Sequence, residues 1–146
     1  MKIPDVNVLV HALHPASKEH ELSRRWLEQA LSGGALVGFT WLVLIGVVRI
    51  TTAPHIFEDP LRADEAVGWI RTWLSREPAT LLAPTARHLE VLEELLAAAG
   101  RAGNLVNDAH LAALAVEHKA EIVTFDSDFA RFPGVRWERP TLQEQP

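Results

Sequence analysis

No cysteine occurs among the 146 residues, which removes disulfides, thiolate zinc sites and cysteine nucleophiles from consideration. No stretch approaches the ~20 consecutive apolar residues of a membrane span. The opening segment carries the carboxylate of Asp5 where a secretory leader needs an apolar run, so the expected location is the cytoplasm. Positive charge is also short: the net charge is -5 and the isoelectric point about 5.8. That balance excludes a protein that holds nucleic acid by a broad basic surface, and any such contact must be local. Internal repeats, low-complexity tracts and interdomain linkers are missing as well. The length suits one domain, read as residues 1–138, followed by a polar, loose C-terminal tail at 139–146.

What is present reads as alternating strands and helices. Residues 3–9 have the composition of a short buried strand running into a turn or helix, interrupted by Asp5 and Asn7. Residues 18–32 place Leu22, Trp26, Leu27, Ala30 and Leu31 on one helical face, stopped by Gly33 and Gly34. A buried strand is expected over 35–39. Thr40 then caps an apolar helix over 41–50 that should be buried on most sides. Residues 63–75 place Ala66, Trp69, Ile70, Trp73 and Leu74 at helical spacing, with Trp69 and Trp73 assigned to the core, and a short strand is expected over 80–83. Thr85 is read as the cap of a helix bearing Leu89, Leu92, Leu95, Leu96 and Ala99, ended by Gly100. Asn107 is read as the cap of a helix reaching His118, and residues 121–125 have the β-branched and aromatic content of a central strand. The alternation implies an α/β fold with a parallel sheet.

Parallel strands end at one sheet edge, and the helices between them begin at that edge. Asp5 follows the first strand, Asp126 and Asp128 follow the strand over 121–125, and Asp108 opens the helix leading back to it. If the first and fourth strands are neighbours, all four acids converge in one crevice. Packed carboxylates repel one another and need shared protons or a cation. A hard divalent ion such as Mg2+ or Mn2+ suits such oxygen ligands, keeps positions open for phosphate oxygens and readies a water as nucleophile. Each acid also has a plainer reading: Asp108 as favourable charge at a helix start, and Asp126 with Asp128 as a turn and cap. Asp5, flanked by Ile3, Val6, Val8 and Leu9, is costly to bury without a partner and points to function.

Three segments carry a resemblance: Pro4-Asp5-Val6-Asn7-Val8-Leu9-Val10, Asn107-Asp108-Ala109-His110-Leu111-Ala112-Ala113-Leu114-Ala115 and Val123-Thr124-Phe125-Asp126-Ser127-Asp128-Phe129. In order and spacing they resemble the PIN-domain nucleases, specifically the VapC-type toxins of toxin-antitoxin pairs. The resemblance implies a three-layer α/β/α fold with a central parallel sheet and a metal-dependent endoribonuclease that cuts RNA to leave a 5'-phosphate and a 3'-hydroxyl. It implies Asp5, Asp108 and Asp126 as catalytic residues and ligands of Mg2+ or Mn2+, with Asn7, Thr124 and Asp128 as supporting groups. The implied partners are a cognate antitoxin, an RNA substrate and a second copy of the chain in a homodimer. One departure stands out: where such proteins often carry a glutamate in the helix over 41–50, this sequence aligns Gly46. Asp128, Glu58 or Asp59 are the candidates to replace it. The departure also motivates the alternative, a PIN-fold module that binds RNA or protein without cutting.

Arg49 ends the same apolar helix, read first as a cation stabilising a helix C-terminus and second as a contact to phosphate or a partner. Arg24 and Arg25 read as a solvated helix face. His11 with His14 and His110 with His118 raise zinc, but no further spaced ligands complete a tetrahedral set. Phe125-Asp126-Ser127-Asp128 resembles the D-x-D motif of haloacid dehalogenase phosphatases, yet only 18 residues follow Asp128 and Ala130 stands where threonine or valine is usual. A phosphoacceptor receiver domain lacks its adjacent acidic pair and its late lysine here.

Overall fold

In the computed structural model, which describes residues 1–144, the chain forms a five-stranded sheet of order β3-β2-β1-β4-β5 with every pairing parallel. The strands are β1 (Lys2–Pro4), β2 (Val37–Phe39), β3 (Ala79–Leu81), β4 (Glu121–Val123) and β5 (Trp137–Glu138), and helices cover the sheet in a three-layer α/β/α arrangement. The register places Ile3 opposite Ile122 and Pro4 opposite Val123, so the first and fourth strands are neighbours, the condition for the acids to converge. The fifth strand was not anticipated. It is two residues long and has no hydrophobic run of its own, because its backbone pairing with Ile122 and Val123 creates it.

The first strand is shorter than its apolar pattern suggests. Proline at position 4 cannot continue an interior ladder on both sides, and Asp5 turns the chain at once into α1 (Val6–Ala12) by accepting a hydrogen bond from the Val6 N–H at 2.7 Å. Val8, Leu9 and Val10 are therefore buried as helix rather than strand residues. Next come α2 (His20–Ser32), α3 (Trp41–Thr51), α4 (Ala63–Leu74), α5 (His88–Ala99) and α6 (Val106–Glu117), close to the expected positions. Thr40 caps α3 as expected, accepting from Val43 N–H at 3.3 Å, and Gly100 ends α5 at φ 73°, a conformation that favours glycine.

Other details differ from the expectation. Helix α3 buries Val43, Leu44 and Val47 but exposes Trp41 and Ile45, so it is buried on one side only. Trp73 is core, whereas Trp69 is 48% exposed. Trp26 is buried and Leu89 exposed. Asn107 is not a cap, since α6 starts one residue earlier after a short 3-10 turn over Gly103–Leu105. Thr85 does not begin α5 but precedes it, donating to Glu117. The tail read as loose is docked as far as Gln143, whose backbone N–H donates to Gln29 Oε1 at 3.1 Å, while Pro140 is buried. Residues 145 and 146 of that tail lie outside the described residues. No helix among the described residues is long and apolar enough to cross a membrane.

Candidate active site at the sheet edge

Asp5 stands at the end of the central strand, where extended backbone at φ -76° and ψ 163° lets its side chain fold back over the start of α1. Its carboxylate is 6% exposed and held from three sides. Thr124 Oγ1 donates to Oδ2 at 2.8 Å, Asn7 Nδ2 donates to the same oxygen at 3.1 Å, and the Val6 N–H holds Oδ1. Asn7 also donates to Thr124 Oγ1 and accepts from the Phe125 N–H, both at 3.1 Å, which staples the end of β4 to the start of α1. Thr124 Oγ1 accepts from the Asp126 N–H at 3.0 Å. Asn7 and Thr124 thus position Asp5 and Asp126, and neither is a free group aimed into solvent.

Asp126 follows β4 and caps the 3-10 turn over Ser127–Arg131 by accepting from the Asp128 N–H at 2.8 Å. The cap uses its Oδ1, and the charge of Asp126 reaches both Asp5 and Asp108. Asp128 stands at the rim, where Arg131 Nε donates to it at 3.1 Å. Asp108 lies in the first turn of α6, half-buried. Asp5 and Asp108 line a common cavity of about 190 Å3 with Val6, Gly46, Arg49 and Asn107.

Burial pushes the Asp108 carboxyl up from 3.8 to about 6, and the charges of Asp5, Asp126 and Asp128 push in the same direction. Burial also raises Asp5, against hydrogen bonds from Thr124 and Val6 that favour its ionised form, and Asp126 adds to the rise. Among the described residues no basic side chain forms an ion pair with Asp5, Asp108 or Asp126. Oxygen donors in mutual repulsion with no protein cation to relieve them fit a hard divalent ion. They do not form a closed cage: no three acids or histidines among the described residues stand together as a ready metal site.

Glu58 and Asp59 do not line this cavity. A Cβ at Gly46 would meet Val6 Cγ2 at 3.1 Å, so Val6 closes in where a longer side chain would pass. The histidines serve elsewhere. His11 pairs with Ser17 at 2.6 Å, and His14 stacks edge-on against Phe57. His110 turns away from the acids to meet His88 at 2.8 Å, and His88 in turn bonds Glu117, whose side chain is 2% exposed. This chain joins α5 to α6, and the pairing of His110 with His88 rather than His118 was beyond sequence spacing. Arg24 pairs with Glu21 and Glu28 along α2, as a solvated face should.

The Thr124 hydroxyl is buried and serves three partners, so Thr124→Val should destabilise the fold by ~1–3 kcal/mol. Urea denaturation would read this, and an unchanged midpoint would show that the Asp5 network contributes nothing to stability.

Comparison with known proteins matches residues 2–135 to the family model for the PIN domain. The chain is 50% identical over 140 residues to Ribonuclease VapC37 of Mycobacterium tuberculosis, covering 96% of this chain and 97% of that protein. It is 36% identical over 140 residues to Ribonuclease VapC33 of the same species, covering 96% and 98%. Among solved structures, VapBC2 from Rickettsia felis, bound to a DNA fragment from its promoter, aligns with a TM-score of 0.69 at 20% identity. That alignment covers 94% of this chain and 97% of the other, and it shows a shared fold.

Proposed function

The chain belongs to the PIN-domain family, among the VapC-type toxins of toxin-antitoxin systems, and from that premise we propose that it is an endoribonuclease dependent on Mg2+ or Mn2+. The observation that supports the metal dependence is the acidic crevice itself: Asp5 and Asp108 line one cavity, and among the described residues no basic side chain forms an ion pair with either. Asp5 and Asp108 are the proposed principal ligands, with Asp126 completing the set directly or through water. A bound divalent ion there would neutralise charge on a phosphoryl oxygen and ready a water for in-line displacement.

The chain's own residues supply the arrangement. Thr124 and Asn7 hold the Asp5 carboxylate in one orientation, which limits the reorganisation needed when the site is loaded. Asp126 is tied to the same threonine through its backbone N–H, so side-chain hydrogen bonds join the ends of β1 and β4. Asp128, engaged with Arg131, acts through its charge at the rim.

The proposed partners are a cognate antitoxin, RNA and a second copy of the chain. Two apolar surfaces support this. A groove of about 380 Å3 between α1, α2 and α4 is lined by Leu13, Leu27, Trp69 and Trp73, and exposed Trp41, Ile45 and Val67 stand on α3 and α4. Surfaces of this kind mark interaction sites more often than bare solvent faces.

The test is incubation of antitoxin-free protein with total cellular RNA in Mg2+, in Mn2+ and in EDTA. Cuts at discrete positions bearing 5'-phosphates, absent in EDTA, are expected. A folded protein that binds RNA and leaves it intact in both metals would favour the second reading, a non-cutting PIN module, for which Gly46 is the motive.

A further inference from the structure

Arg49 ends α3, and the plain account of it is a cation at a helix C-terminus. Its surroundings ask for more. It lines the same cavity as Asp5 and Asp108, yet no carboxylate among the described residues lies within ion-pair distance of it. It therefore borders an anionic crevice without neutralising it.

Gly46 lies one turn before Arg49 on the same helix face. A carboxylate side chain at that position would stand at the spacing where glutamate and arginine pair along a helix. Glycine places no acid at that spacing, Val6 packs against it, and Arg49 borders the cavity of about 190 Å3 that Asp5 and Asp108 also line. What fits between a carboxylate wall and an unpaired guanidinium is a group with oxygens for both a bridging cation and a fork of N–H donors, which is a phosphodiester.

We propose that Arg49 binds a phosphate of the RNA within the Asp5–Asp108 cavity and that Gly46 keeps it available for that contact. The role is substrate positioning for the reaction proposed above, and the proposal rests on that reading for the identity of the ligand.

The test compares the unaltered protein with Arg49→Gln and Arg49→Lys, reading both cleavage kinetics and RNA binding. Binding is measured as filter retention of end-labelled total cellular RNA on the Asp108→Asn background, across salt concentrations, so it does not depend on turnover. Arg49→Gln should weaken retention about tenfold, raise KM more than it lowers kcat and reduce the slope of log affinity against log salt by about 0.7, one phosphate contact. Arg49→Lys should restore part of the affinity. Mn2+ binding by the Arg49→Gln protein with its acids intact should stay within about twofold of the unaltered protein.

Unchanged RNA affinity and salt slope in Arg49→Gln, with only a lower melting temperature, would overturn the proposal and leave the helix-terminus role. A protein that binds RNA through Arg49 but never cuts it would sink the nuclease reading while sustaining this one, so the two failures are distinguishable.

Discussion

Asp108→Asn is expected to lower RNA cleavage at least ~1000-fold, equivalent to ~4 kcal/mol of transition-state stabilisation, while leaving the fold intact or slightly more stable. The substitution removes a charge from a crevice where burial and three other acids already oppose it, and Asp108 has no hydrogen-bond network to lose on the scale of Asp5. Asp5→Asn should abolish cleavage equally but also cost ~1–3 kcal/mol of stability. Its carboxylate accepts from Thr124, Asn7 and Val6, and an amide would turn an N–H toward one of those donors. Single-turnover cleavage, Mn2+ titration calorimetry and denaturant unfolding on both variants check this. Near-normal cutting by Asp108→Asn would remove the acid cluster from the mechanism.

The second large effect concerns pH. A folded-state carboxyl raised from 3.8 to about 6 binds its proton more tightly than in the unfolded chain. Its favourable contribution is therefore full below pH ~4 and is lost as pH rises through about 6, after which the folded state carries the cost of the charge. The full shift corresponds to ~3 kcal/mol, and solvent screening of this half-exposed group reduces it to ~1–2 kcal/mol. In EDTA, the difference in stability between the unaltered protein and Asp108→Asn should grow by that amount between pH 4 and 7.5, in favour of the asparagine variant. Millimolar Mn2+ should reverse it, because a ligand that binds only the folded state stabilises that state. Parallel pH profiles for the two proteins without metal would show that Asp108 carries no such strain.

Much of the architecture was legible along the chain because it rests on local chemistry. Helical spacing marked α2 and α4, Thr40 and Gly100 marked helix ends, and strand-helix alternation implied a parallel sheet, in which β1 and β4 are neighbours and Asp5 and Asp108 line one cavity. Where local pattern failed, a neighbour had the deciding role. The apolar run over 3–9 reads as strand by composition, but Pro4 and the cap at Asp5 convert most of it to helix.

The motifs around Asp5, Asp108 and Asp126 were enough to assign the family, since residue type and order survive in the linear chain. Which groups touch was settled by packing. The sheet order made β1 and β4 adjacent and created β5, and Thr124 and Asn7 acquired their roles only across that seam. His110 found His88 through the packing of α5 on α6. Arg49 looked like a helix-end cation until the fold put it on the wall of the acidic cavity. These contacts join residues far apart in the chain, and their geometry depends on how buried faces of whole elements fit together, which periodicity and composition do not encode.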